Sequence, residues 1–131
     1  MTMALPENDR WYEIANVGEI ASPALALYPE RIEENIRRMI RIAGSAGRLR
    51  PHVKTHKTAE IVRLQLKHGI GKFKCSTIAE AEMTAAAGAP DVLLAMQPVG
   101  PAIARFFALK RAFPNTMLGA IVDSEDVIGQ V

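Results

Sequence analysis

Arg50-Pro51-His52-Val53-Lys54-Thr55-His56-Lys57 is the stretch on which the reading of the chain turns. Leu49 to Lys54 has the length of a short strand, and side chains alternate faces along a strand. Arg50, His52 and Lys54 then share one face, and Pro51 and Val53 the other. In a parallel sheet both faces are usually buried. Three polar or charged side chains on a buried face need a reason, because unpartnered buried charge is costly. A barrel interior with a polar ligand at its strand ends supplies one. Lys54 falls at the C-terminal end of the strand, where barrel enzymes carry catalytic residues. A lysine there can do imine chemistry once its amine is partly deprotonated, through desolvation or nearby cations. Arg50, His52, His56 and Lys57 are close enough in sequence to contribute. The same stretch also reads as a basic edge strand or loop facing water, and the residue pattern alone leaves both readings open. Lys57 falls past the strand end and reads as a surface or supporting residue.

Outward from this stretch, apolar clusters alternate with helical patterns. Upstream, Ala24 to Tyr28 is a short strand candidate, and Pro29 suits a first helical position, where its missing N–H costs nothing. Ile32, Ile36, Met39, Ile40 and Ala43 recur at helical spacing, and Glu33 with Arg37 and Glu34 with Arg38 form i,i+4 pairs on the outer side. Downstream, Thr58 is placed to cap a helix ending near His68 and Gly69. Phe73 to Ser76 is a strand. Thr77 and Glu80 have capping-box spacing, and the Ala-rich helix after them ends at Gly88. Val92 to Met96 is a strand of the buried type, Gly100-Pro101 opens a helix that closes near Phe113-Pro114, and Met117 to Val122 is a further strand. Ser124 begins one more helix. This βαβα rhythm with short loops predicts an α/β fold, a parallel sheet covered by helices. A helix begun at Ser124 with no following strand suggests a fragment of a larger sheet. The alternative is a compact flavodoxin-like domain of roughly 130 residues, which lacks a Gly-rich phosphate loop after its first strand here.

Composition narrows the function classes. The 131 residues carry a formal charge of +2, 49% hydrophobic and 23% charged residues, and one cysteine. The basic residues are spread along the chain and do not interleave with aromatics, which argues against a nucleic-acid surface. One cysteine excludes an internal disulfide and a multi-cysteine zinc site. No apolar run approaches the roughly 20 residues of a membrane helix, and the polar stretch from Met1 to Arg10 has no apolar signal core. A cytoplasmic protein is expected.

The run at 50–58, Arg-Pro-His-Val-Lys-Thr-His-Lys-Thr, resembles the signature of the D-threonine aldolase and D-serine dehydratase family of pyridoxal-phosphate enzymes, which share the alanine-racemase type of barrel. Lys72 to Glu82 is similar to that family's next strand and helix, and Leu93 to Pro101 to its third. Ser22-Pro23-Ala24-Leu25 and Asn35-Ile36 also fit, so the resemblance runs from about Ile20 onward. It implies the N-terminal half of a (β/α)8 barrel of the TIM type. An N-terminal segment, 1–19, would precede a strand and helix, 20–48, that precede the barrel. Four β/α units, 49–131, would follow, with strands near 49–54, 72–76, 91–96 and 117–122. The strand near Ala24 would pair with a C-terminal β-domain. The resemblance also implies that Lys54 forms the covalent bond to pyridoxal 5'-phosphate, as the catalytic residue.

The other residues expected near the cofactor are His52, Arg50, His56, Gln97 and Thr77. Gln97 ends a strand at the catalytic rim, placed to bond the ring or the substrate. Thr77 is also accounted for by its capping role. Cys75 reads as a buried structural thiol, and His68 as a histidine at a helix C-terminus, where a cation is favoured. His52 and His56 have metal-ligand spacing only on a helix, and no metal is assigned here. The resemblance implies a divalent metal in the whole protein, through residues further along, and a homodimer.

The expected function is a lyase acting on D-configured β-hydroxy amino acids, by aldol cleavage or loss of water. A racemase of the same fold is the nearest alternative. Against it, the Lys-Thr-His-Lys run departs from the racemase pattern, in which a tyrosine follows the lysine closely. A non-catalytic cofactor-binding or carrier protein is the alternative from another class.

Overall fold

In a computed structural model, which describes residues 10–130, three short parallel strands form a sheet with helices packed on one face. Most of the polar stretch from Met1 to Arg10 lies outside the described residues. The strands are β1 (Lys72–Cys75), β2 (Asp91–Leu94) and β3 (Met117–Ala120), paired in chain order. Lys72 sits opposite Asp91, and Asp91 opposite Met117. Between them run α3 (Ile78–Ala86) and α4 (Pro101–Ala112); α1 (Pro29–Ala43) and α2 (Ala59–Lys67) precede the sheet, and α5 (Glu125–Ile128) follows it.

Alternation along the strands separates two faces. Phe73, Cys75, Val92, Leu94 and Leu118 are buried and join Ile36, Val62, Phe106 and Leu109 of the helices in one core. Lys72, Lys74, Asp91, Leu93, Met117 and Gly119 point to the other face, and none of them is buried. Segment 20–48 shares this core through Ile36 of α1. No helix among the described residues is long and apolar enough to cross a membrane.

The helices begin and end where their residues dictate. Pro29 opens α1, Arg37–Glu33 and Arg38–Glu34 pair at 2.9 Å each, and Gly44 takes a left-handed φ of +84° to close it. His68, at the end of α2, ties that helix to α1 through a 2.9 Å contact between its Nε2 and Glu33 Oε1. Thr77 caps α3, its Oγ1 accepting the N–H of Glu80 at 3.1 Å.

Three expectations are corrected. The strand expected over Leu49–Lys54 is one parallel bridge, His52 with Lys74, followed by a single 3-10 turn at Val53–Thr55. Lys74 N–H donates to the Pro51 carbonyl at 2.9 Å, and the pairing stops there. Val53 is fully buried in the core, and Val53 O accepts the N–H groups of His56 (3.2 Å) and Lys57 (2.8 Å), so the chain turns off the sheet. The first of the four barrel strands is thus reduced to a bridge, and the other three are four residues long. Ala24 to Tyr28 forms no strand, because no neighbouring strand among the described residues pairs with it. Thr58 occupies the position before α2 without capping it; its hydroxyl donates to the His56 carbonyl at 2.6 Å.

Candidate active site

The turn after His52 presents Lys54 at the C-terminal end of the sheet. The buried Val53 anchors it from below, and the Lys54 side chain is exposed. The expected alternation of Arg50, His52 and Lys54 breaks here, because a 3-10 turn does not alternate. What joins His52 to Lys54 is a hydrogen bond: Lys54 N–H donates to His52 Nδ1 at 3.3 Å. An Nδ1 that accepts carries no proton, so the remaining ring proton sits on Nε2, which lies 3.2 Å from Ser76 Oγ. Burial holds the His52 ring below the ordinary value of 6.5; the charges of Lys54 and Lys74 act the same way, and Glu80 opposes them. The geometry and the electrostatics agree on a neutral imidazole beside the lysine.

The second tie comes from Glu80. Its carboxylate is buried at the start of α3, where Oε2 accepts the Ser76 N–H at 2.8 Å and Oε1 pairs with Lys57 Nζ. Burial pushes this carboxyl up, but the bonds from Lys57 and Ser76 outweigh it and hold it below its ordinary value. Ser76 and Glu80 are the residues that sequence reasoning missed here. The available signal was Glu80's position on the buried stripe of α3 with Ala81, Thr84 and Ala85: a buried acid asks for a cation.

Arg50 sits at the other end of the sheet. Its guanidinium makes two parallel bonds to Asp91, at 2.6 and 2.7 Å, and a third to the Phe73 carbonyl at 3.2 Å. The bond to Asp91 raises its already high pKa, against the effect of burial. Asp91 opens β2, so this fork lies at the N-terminal end of the strands, roughly 10 Å along the sheet from the rim.

His56 Nδ1 accepts the Thr58 N–H at 3.1 Å, and its Nε2 is buried without a partner. Burial lowers the pKa of this ring, with the Thr58 bond opposing. Gln97 Oε1 accepts the Asp123 N–H at 2.7 Å, linking the loops after β2 and β3. Gln97, Thr77, Ser76 and Arg105 line a cleft of about 410 Å³ at the strand ends. Leu94 also lines it, and Leu94 points to the helix-covered face, so the cleft opens on that side. Lys54 is not part of its wall. The structure therefore brings His52, Lys54, Ser76, Lys57 and Glu80 together, places Thr77 and Gln97 along the same rim, and leaves Arg50 at the far end. Cys75 is buried, and burial pushes its thiol up to about 12. Among the described residues no cluster of three or more His, Cys, Asp or Glu is arranged to hold a metal ion.

Comparison with known proteins agrees with this architecture. Residues 28–117 match the family model of the alanine racemase N-terminal domain. The chain is similar to a D-threo-3-hydroxyaspartate dehydratase of Delftia sp. (strain HT23), 36% identical over 104 residues, which cover 79% of this chain and 27% of that protein. It is likewise 36% identical over 87 residues to a D-threonine aldolase of Arthrobacter sp., covering 66% of this chain and 23% of the relative. The crystal structure of D-threonine aldolase from Filomicrobium marinum superposes with a TM-score of 0.74 at 31% identity, over 87% of this chain and 31% of that one. The chain thus spans less than a third of the length of each of these proteins. The fold is the alanine-racemase type expected from the sequence, and the flavodoxin-like alternative is set aside.

Proposed function

Because the chain belongs to the family of the alanine racemase N-terminal domain, we propose that the whole protein is a pyridoxal-phosphate-dependent lyase acting on D-configured β-hydroxy amino acids, and that Lys54 binds the cofactor. The observation that carries this reading is the Lys54 turn: an exposed amine at the C-terminal end of a parallel sheet, on a backbone anchored by Val53 and His52. The resemblance to a dehydratase and an aldolase supports lyase chemistry.

The residues present fit the reactive part of pyridoxal phosphate. An aldehyde needs a primary amine within reach, and Lys54 offers one. When bound, the cofactor's ring accepts electron density as a bond at the substrate's α- or β-carbon breaks. His52, uncharged, keeps the Lys54 backbone in place without adding a second positive charge beside the amine. Ser76 uses its hydroxyl to hold that imidazole. Gln97 and Thr77 lie along the same rim, in a cleft whose wall does not include Lys54, where they would meet parts of the cofactor or substrate that reach past the strand ends. The contribution of Arg50 is indirect, through the strand alignment it secures with Asp91, and His56 stiffens the turn through Thr58. Retro-aldol cleavage and loss of water begin alike, and both fit this set. A small D-amino acid as the partner, a homodimer of the whole protein, a divalent metal held by residues beyond this segment and a cytoplasmic location complete the proposal.

The test is reductive labelling with pyridoxal phosphate and borohydride, followed by peptide mapping. Label concentrated on Lys54 and lost in Lys54→Ala is the expected result. Label spread evenly over the lysines rejects the assignment. For the whole protein, turnover of D-threonine or D-serine, with and without a divalent metal, decides between a lyase and a carrier.

A further inference from the structure

The Lys54 turn is tied to the junction of β1 and α3 at both of its ends. On entry, His52 Nε2 meets Ser76 Oγ at 3.2 Å. On exit, Lys57 Nζ pairs with Glu80 Oε1. Both ties converge on one side chain, since Glu80 Oε2 also accepts the N–H of Ser76 at 2.8 Å. Residues 52–57 and 76–80 thereby form a closed ring of contacts, with Lys54 on its outer side.

Helix capping does not account for this ring. A cap at the start of α3 needs only an acceptor, which Thr77 and the carboxylate provide. It does not need a lysine from 23 residues earlier in the chain. Nor does it need that lysine to adopt a left-handed backbone, φ +48°, which disfavours every residue with a Cβ. The pair is also asymmetric: the Glu80 side chain is 5% exposed and that of Lys57 61%. A carboxylate this buried requires a counter-charge, and Lys57 reaches in from solvent to supply it.

We propose that Glu80 is a positioning residue for Lys54. By pairing with Lys57 and holding Ser76 against His52, it closes the 52–57 turn onto α3 and fixes where the Lys54 amine stands. The inference rests on the reading of Lys54 as the cofactor lysine. It has a chemical corollary. Of two lysines three residues apart, Lys57 has its amine engaged by Glu80, and Lys54 is left as the one that reacts with an aldehyde.

Two measurements on the full chain test this. The first is amide hydrogen exchange in the native protein and in Glu80→Gln, which keeps an acceptor for Ser76 N–H but gives Lys57 no charge. The Lys54 and Lys57 amides, bonded to His52 Nδ1 and Val53 O, should exchange on the order of tenfold faster in the variant, as loss of a charged hydrogen bond predicts. The inner amides of α3 should be unchanged. The second is the ratio of reductive label on Lys54 and Lys57. Native protein should favour Lys54 by about tenfold, and Glu80→Gln should bring the two within about twofold. Lys57→Arg, which restores a cation, should keep the turn amides slow. Unchanged turn exchange and an unchanged label ratio in Glu80→Gln would overturn the proposal. Should native protein carry no label on Lys54, the cofactor assignment fails, while the exchange comparison still decides whether Glu80 closes the turn. Should Glu80→Gln fail to fold, Lys57→Met removes the same pair from the exposed side, and faster or unchanged exchange of the Lys54 amide then supports or overturns the proposal in its place.

Discussion

His52 Nδ1 accepts the backbone N–H of Lys54, two residues ahead, at 3.3 Å. This contact dictates a tautomer. We expect nitrogen NMR at pH 7 to show His52 neutral, with its proton on Nε2 facing Ser76. Its protonation midpoint should lie below 6.5, because burial and the neighbouring lysines disfavour the cation. A charged ring at pH 7, or a proton on Nδ1, would contradict the geometry.

The Arg50–Asp91 fork should contribute to stability. It is half-buried and bidentate, the stronger kind of charged contact. Asp91→Ala should lower the unfolding free energy by about 2 kcal/mol in a urea titration. Arg50→Lys should lose most of that as well, since a point charge cannot make two parallel bonds. A loss under about 0.5 kcal/mol in both would place the pair among ordinary surface contacts.

Acid should act through His56. Its folded pKa is depressed by burial, so the unfolded chain binds a proton more readily. The stability it contributes is complete above 6.5, its ordinary value, and is lost as pH falls through the lower folded value. His56→Asn keeps an acceptor for Thr58 N–H and cannot be protonated. The fall in melting temperature between pH 7.5 and pH 5.5 should therefore be shallower in His56→Asn than in the native chain. Parallel falls in both proteins would clear His56 of this role.

Cys75 should be inert while the protein is folded. Its side chain has no exposed surface, and burial pushes the thiol up to about 12. At pH 8 iodoacetamide should modify it at the rate of unfolding and no faster, with full reaction in strong urea. Stoichiometric modification within minutes under native conditions would show that β1 opens locally.

Much of this was legible in the residues because it depends on neighbours in sequence. Pro29 at the head of α1, the Glu33–Arg37 and Glu34–Arg38 pairs and the Thr77 cap all follow from spacing along one helix. The three paired strands also lie close to where their apolar runs place them. The stretch at 49–54 was harder to read. Its apolar and polar residues alternate as a strand's do, yet the pairing ends after His52, because Val53 is drawn into the core and the next N–H turns back onto a side chain. No alternation rule registers that competition. Ala24 to Tyr28 shows the converse: a strand-like composition forms no strand without a partner alongside. Lys54 stood out as a reactive lysine through its surroundings and the family resemblance. Glu80's second role did not, since Lys57 lies 23 residues away and meets it only once the sheet has formed.

The fork between Arg50 and Asp91 has a meaning for how the sheet assembles. Its donor lies just before the bridge, its acceptor opens β2, and the third bond lands on Phe73 of β1, between them. One guanidinium therefore ties its own segment to the two that follow, β1 and β2. If β1 slid by a single position, Phe73 would swap faces and its carbonyl would turn away from Arg50, so the third bond forms only in the correct alignment. The arginine thus favours one alignment of the strands at the base of the sheet, at the end opposite the rim where Lys54 stands.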